Sequence, residues 1–443
     1  MNPPKKILDR LKFIGPSVIV TGSVVGSGSI VMTPLLGAAA GFILLWWLLL
    51  SMWSKPIIQA EISRYIIVKR KTFLEAFSDM PGYKTTIQGK TTSWLVWFMF
   101  IGVIPSVAGM GGLAGAVAEA GHKMIPQLSL EIWVIACCTA TWLILYWGSY
   151  QSLEKILLAM VLFFSLVTII IAFSMQSTEF QINSNQVLEG LSFSFPMDHL
   201  PLALAVFGFT GISYGEIMAY TYWCLEKGYA QDTEGDKEKT KLWIKVMQTD
   251  VWITVIFITI GTLPFFFLGA GVLHQIPELQ EALANNSFWD IKIIDSLQNM
   301  FALVIGSWAM WLFIILAFFV LFSTLLSGTA AFTRTISDYL ISTGLVLEKK
   351  VSRRRLIKIV AIVIPFLSAL FYFILPNPIT LLIIAGIWAA MGLPIVNIGA
   401  IYLISKLEKE LRPKPVTIYF LWISLFFQLF MASLVLYYEI FGF

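Results

Sequence analysis

Residues 23–31 read SVVGSGSIV, and they fall inside an otherwise apolar stretch from Phe13 to Met52. A helix that crosses a bilayer must satisfy its backbone hydrogen bonds internally, because the hydrocarbon core offers no water. Gly26, Ser27, Gly28 and Ser29 stand near the midpoint of this stretch, where that need is greatest. Two readings are open. Either the glycines let neighbouring helices pack closely, or the helix breaks there.

The whole composition points to a membrane. Hydrophobic residues make up 58% of the chain and charged residues 13%, against roughly 25% charged in soluble domains. Sixteen Trp and 34 Phe suit a lipid-facing surface with aromatic belts at its interfaces. Polar runs only separate apolar runs of roughly 20 residues, the length that spans a bilayer. These runs lack the period-two alternation of barrel strands. Cys137, Cys138 and Cys224 lie in apolar segments without metal-ligand or disulfide spacing. They read as small buried residues. The basic start, MNPPKKILDRLK, leads into an apolar run without a convincing cleavage site, so it is expected to stay.

Eleven spans are expected, at 14–36, 42–66, 93–117, 131–149, 154–175, 200–224, 245–272, 301–327, 356–375, 379–404 and 417–440. Of the 30 Lys and Arg, 24 fall in segments on one side of this map, from Lys5 in the first to Lys414 in the last. Only Lys123 and Lys292 fall in loops on the other side; Lys55, Arg64, Lys245 and Lys358 are left in or at the ends of spans. Such an asymmetry orients the chain in the plasma membrane with its N-terminus cytoplasmic and its C-terminus outside. The net charge of +4 is then topology charge, with some attraction to anionic lipid heads. It calls for no nucleic-acid partner. TAAFTRTISDYLISTGLVLEKK is expected to continue its span as a helix, and EKGYAQDTEGDKEKTK to be a charged loop.

A second interruption matches the first. The sixth span reads FGFTGISYGEIMAYTYW and carries Gly208, Gly211 and Gly215, then the carboxylate of Glu216. Spans 1–5 and 6–10 thus form two five-helix units, each opening on a broken helix. Five is odd, so the second unit is inverted in the membrane. The organisation expected is a cytoplasmic stretch 1–13, a first repeat 14–175, and an extracellular connection 176–199. A second repeat, 200–404, follows, and then a loop and eleventh helix, 405–443. Gly-interrupted segments at matching places in two halves point to a transporter's binding site.

The candidate binding residues are Gly26, Ser27, Gly28, Ser29, Gly211, Ser213, Tyr214, Glu216 and Asn397. Glu216 is the sharpest, because a carboxylate at mid-membrane costs roughly 2.5–3.5 kcal/mol on insertion scales. It is also the candidate metal ligand. The bland readings are a structural carboxyl at Glu216 and packing glycines at Gly22-xxx-Gly26 and Gly211-xxx-Gly215. Gly111-xxx-Gly115 is read as packing alone. Glu61 and Arg64, one turn apart, read as a local salt bridge. Asp250 is expected to reach water near the cytoplasmic end of its span. His122, His199 and His274 all map outside, which leaves no imidazole in the membrane. No phosphate-binding Gly-rich loop and no nucleophile–His–acid set stands in the sequence. The chain therefore reads as neither an ATP-driven pump nor an enzyme, with no cofactor. A monomer is a sufficient unit.

At this point the chain resembles the Nramp divalent-metal transporters, within the amino acid–polyamine–organocation superfamily. GPSVIVTGSVVGSGS stands where that family has its GPG opening and the DPGN break of the first helix. LLWWLLLSMWSKPIIQAEISRY with KTFLEAF is similar to its second helix, and YQSLEKILLAMVLFFSLV to the start of its fifth. FSTLLSGTAAFTR resembles the end of its eighth, WAAMGLPIVNIGAIYL its tenth, and TYWCLEKGYA a phrase of divergent bacterial members. The resemblance implies a LeuT-like fold, all α-helical and integral to the membrane. It comprises two inverted five-helix repeats plus an eleventh helix, with helices 1 and 6 broken and alternating access.

The departures bear on the substrate. The DPGN positions are Gly26, Ser27, Gly28 and Ser29, so the family's metal-binding Asp and Asn are missing. Its sixth-helix Met-Pro-His falls near Ser213, Tyr214 and Gly215, so the thioether that favours softer metals is missing too. Its third-helix carboxylates fall around Gly109 and Gly112. The remaining hydroxyls, backbone oxygens and Glu216 suit a cation that keeps its water, as Mg²⁺ does. A magnesium-transporting branch resembles the same family. Two other classes stay open: a carrier of small organic amines or amino acids, and a membrane scaffold or sensor that transports nothing.

Overall fold

The fold was analysed in a computed structural model, which describes residues 3, 4, 6–26, 28–147, 150–231, 233, 236–284 and 293–441. Ser27, Lys5 and Lys292 lie outside the described residues. The chain is helical almost throughout. The principal helices are α1 (Pro16–Val24), α2 (Thr33–Ala40), α3 (Leu45–Ser54), α4 (Pro56–Lys69), α5 (Val103–Met124), α6 (Leu130–Trp147) and α7 (Tyr150–Ser174). After these come α8 (Leu200–Phe209), α9 (Tyr214–Lys227), α10 (Lys237–Gly271), α11 (Ala309–Ser342), α12 (Arg353–Ile374), α13 (Pro378–Ser405) and α14 (Pro415–Phe441). A two-stranded hairpin, β1 (Lys84–Ile87) with β2 (Lys90–Ser93), lies between α4 and α5.

Nine helical stretches among the described residues are long and apolar enough to cross a membrane. The expected second span is split into α3 and α4 at Lys55, and the expected fifth span is the 25-residue α7. The eighth starts later than expected, at Ala309, because Gly306 at φ +97° ends the helix Ile293–Ile305 before it. It then runs unbroken to Ser342, as the pattern of TAAFTRTISDYLIS implied.

The helices most deeply enclosed are those that carry the breaks. Of the most apolar 18 residues in each stretch, 94% are buried in Pro16–Ala40 and 83% in Met197–Lys227, against 22% in Leu130–Trp147. The broken helices thus stand inside the bundle, the only depth at which irregular backbone is tolerated. Packing around them relies on small residues. A Cβ on Gly109 would lie 2.4 Å from Ala385 Cβ, and one on Gly112 2.6 Å from the Pro378 carbonyl oxygen. Helix α13 therefore leaves no room for a side chain at either position. Gly111 and Gly115 meet Ser368 and Tyr372 of α12 equally closely, so they are packing glycines as read.

Candidate functional site

The first break lies between α1 and α2. Val25 takes ψ +71°, and the Gly26 N–H bonds to the Val24 carbonyl at 2.9 Å instead of one turn back. Gly28–Met32 then forms a wide π turn. Side-chain hydroxyls take up the freed carbonyls. Thr33 Oγ1 donates to the Gly28 carbonyl at 2.7 Å, and Ser29 Oγ lies 3.4 Å from the Val24 carbonyl.

The second break lies between α8 and α9. Thr210 is extended, Gly211 takes φ +74°, and Ser213 caps α9. Only glycine reaches such a φ without cost. The Ser213 side chain accepts from the Gly215 N–H at 3.2 Å, and its own N–H donates to Glu216 Oε2 at 3.0 Å. This is a reciprocal capping box. Tyr214 and Gly215 already belong to α9.

The two breaks meet. Ser23 Oγ donates to Glu216 Oε1 at 3.2 Å, and Thr210 Oγ1 lies 3.5 Å from the Gly28 carbonyl oxygen. Beside them opens a cavity of about 100 Å³, room for several waters at roughly 10–15 Å³ each on the same measure. Its polar lining comes from Ser23 of α1, Ser106 of α5, Ser213, Tyr214 and Glu216 of the second break, and Thr324, Ser327 and Thr335 of α11. Apolar lining includes Val20, Leu113, Phe209, Trp223 and Phe332. Two thioethers also face it, Met110 and Met218. Met218 Sδ lies 4.0 Å from the Tyr339 hydroxyl.

The candidate residues divide. Ser213, Tyr214 and Glu216 line the cavity. Gly28 and Gly211 shape the breaks around it. Gly26 serves packing, since a Cβ there would lie 1.5 Å from Thr324 Oγ1. Ser29 is turned away, its hydroxyl 2.7 Å from that of Thr262 on α10. Asn397, expected at the cavity, instead fastens α14 to α13. Its Nδ2 donates to the Leu421 carbonyl and to Gln428 Oε1, both at 3.2 Å. Apolar neighbours give a buried amide no alternative to such a partner, so it follows the adjacent helix.

Asp250 is a further correction. It is 1% exposed and reaches no water. Its carboxylate accepts from the Gly15 N–H at 3.3 Å, the Ser17 N–H at 3.0 Å and the Tyr220 hydroxyl at 2.7 Å. It thereby caps the N-terminus of α1, where free amides favour a negative charge, and holds α9 beside it. Farther along α9, Tyr222 donates to Asp338 at 2.6 Å and Glu226 pairs with Arg334 at 2.9 Å, both on α11. Glu61 and Arg64 do form a local pair, at 2.6 Å.

Lys55 was passed over in the sequence as a residue left within a span. Its side chain is wholly buried between α3 and α4. Nζ donates to the carbonyls of Thr210, at 2.8 Å, and Phe207, and to Ser51 Oγ at 3.0 Å. It also stands 4.6 Å from the centre of the Phe207 ring. The ammonium thus caps the carbonyl end of α8 where that helix breaks. A lysine inside an apolar span is itself a signal of a site, and Pro56 after it marks the helix junction.

Known structures share this fold. A manganese transporter of Eremococcus coleocola has a TM-score of 0.66 to the chain at 14% identity, over 98% of this chain and 88% of that one. MhsT, in complex with L-phenylalanine, gives a TM-score of 0.56 at 16% identity, covering 98% of this chain and 99% of that one. A nucleobase-cation-symport-1 family transporter with bromovinylhydantoin bound gives 0.57 at 13% identity, covering 98% and 95%. No curated protein matches the sequence significantly. The structural likenesses carry the fold, in which a broken helix opens each of two halves. The family rests on the sequence itself, since the model of the natural resistance-associated macrophage protein-like proteins matches residues 17–438. With that match spanning nearly the whole chain, the protein belongs to the Nramp family.

Proposed function

We propose that the chain is a secondary transporter that moves a divalent cation by alternating access, with its binding site in the cavity between the two breaks. The observation that carries this reading is the placement of Glu216. One carboxylate faces the cavity from the first turn of α9 and is held by Ser213 and Ser23. A cation there finds one negative charge and a set of hydroxyl oxygens. Among the described residues no three His, Cys, Asp or Glu side chains come together. Such a donor set suits a hard cation that keeps part of its hydration, of which Mg²⁺ is the leading case. Membership of the family and the likeness to a manganese transporter support cation transport.

A second reading is a small organic amine or amino acid. The apolar side chains lining much of the cavity favour it, and two relatives of the fold hold organic ligands. The experiment that decides is a flux screen with purified protein in liposomes, run cation by cation and solute by solute. Saturable Mg²⁺ uptake supports the first reading. Uptake of an organic solute with no cation flux supports the second.

A further inference from the structure

Two segments far apart in the chain bring their basic residues to one place. The first is the connection from α11 to α12, with Lys349 and Lys350, followed by Arg353, Arg354 and Arg355 in the first turn of α12. The second is the hairpin. Thr92 of β2 donates to the Ser342 carbonyl at the end of α11, 2.9 Å away. A Cβ on Gly344, two residues on, would lie 3.2 Å from Lys90 Cβ. The hairpin is therefore seated on the connection, with Lys84 and Lys90 exposed.

The protein compensates little of this charge. Arg353 Nη2 lies 3.2 Å from Asp338 Oδ1 on α11. Lys349, Lys350, Arg354 and Arg355 are exposed and have no acidic partner among the described residues. The arginines also stand at a helix start, where the backbone carries a partial positive charge and disfavours cations. No acidic residue shares that turn.

Two features put the patch at the level of lipid headgroups. Arg355 shares a face with Ile359, Ile362 and Phe366, at i, i+4, i+7 and i+11. All three are exposed on a helix long and apolar enough to cross a membrane, so that face meets lipid tails. Tyr83 and Trp94, on either side of the hairpin, are 72% and 46% exposed. Aromatic residues of this kind settle at the membrane–water interface. Phosphate oxygens at that level find the planar donor forks of Arg354 and Arg355 within reach.

We propose that this patch is a binding site for the phosphate headgroup of an anionic phospholipid, and that a bound lipid steadies α9. The link to α9 is short. Tyr222 of α9 donates to Asp338 Oδ2 at 2.6 Å, and the Arg353 guanidinium stands 5.9 Å from the centre of the Tyr222 ring. One carboxylate thus joins the half-helix that carries Glu216 to the first turn of α12. A headgroup on Arg354 and Arg355 offsets the repulsion in that turn and leaves the Arg353–Asp338 pair in place. The site does not depend on what the cavity carries.

The test compares purified protein in nanodiscs of phosphatidylcholine with protein in the same discs containing phosphatidylglycerol. Phosphatidylglycerol should raise the melting temperature of the unaltered protein. Arg354→Gln combined with Arg355→Gln should lose most of that rise. In phosphatidylcholine alone this variant should melt no lower than the unaltered protein, since the charges it removes oppose the helix end. Lys406→Gln combined with Lys409→Gln takes two exposed charges from another loop and should keep the rise. No rise in the unaltered protein overturns the site. An equal loss in both double variants overturns it too, and leaves only the diffuse attraction of a basic surface. Lower melting of the arginine variant in phosphatidylcholine alone would make the arginines structural and likewise overturn it. Hydrogen exchange tests the link to α9. Phosphatidylglycerol should slow exchange at residues 218–226 in the unaltered protein and not in the arginine variant. Slowing in both proteins, or in neither, overturns the link.

Discussion

Ser23 Oγ donates to Glu216 Oε1 across 3.2 Å. Ser23 ends one half-helix and Glu216 starts another, 193 residues later in the chain. The carboxylate is thus positioned from both halves of the fold at once, and it points to where they part.

Glu216→Gln keeps the shape and removes the charge. The amide still serves as the partner of the Ser213 cap, so folding and thermal stability should change little. Mg²⁺ affinity should fall at least roughly tenfold, or about 1.4 kcal/mol. Calorimetry on the purified protein measures it. Unchanged affinity would place the cation elsewhere.

Gly211→Ala tests the second break. A left-handed φ costs an L-residue roughly 1–2 kcal/mol, and the new Cβ would stand 3.1 Å from Met52 Cα. The variant should melt at a lower temperature in detergent. An unshifted melting curve would mean that the chain does not turn there.

Asp250→Asn removes the charge that caps α1. The loss is about 1–2 kcal/mol for an enclosed charge at a helix end. Hydrogen exchange at the amides of Gly15 and Ser17 should speed up by roughly tenfold, the equivalent of about 1.4 kcal/mol. Equal protection in both proteins would show that the carboxylate does not hold the helix.

Mn²⁺ at low micromolar concentration should enter liposomes poorly. On the resemblance read in the sequence, the positions that match the family's Asp and Met hold neither a carboxylate nor a thioether. Saturable Mn²⁺ uptake with Cd²⁺ competition would contradict this. Met218→Leu and Met110→Leu would then ask whether the cavity thioethers are the ligands.

Orientation is open to labelling. Ser352 and Glu281, both exposed, should become accessible from opposite sides of the membrane when each is replaced by Cys. Labelling of both from one side would overturn the orientation read from the Lys and Arg.

The breaks were legible because glycine and hydroxyl residues are conspicuous in an apolar run. Ser213 with Glu216 three residues on is likewise a local pattern that a sequence displays. Asn397 and Ser29 were misplaced for the opposite reason. Each is a polar residue near a break, and local spacing does not say which neighbouring helix supplies its partner. Gln428 and Thr262 do so from far along the chain. Lys55 was the costliest omission. It was counted among charges that fit no loop, and its site is assembled from carbonyls about 150 residues away. The rule that a buried charge needs a purpose would have found the residue, though not its partners.

Asp250 grips the start of α1 with two backbone amides and α9 with the Tyr220 hydroxyl. A single carboxylate is thus the common pin of two half-helices from opposite repeats. Neither can swing out alone without robbing the other's anchor of its geometry. The start of α1 and the middle of α9 are therefore tied to each other through one side chain of α10.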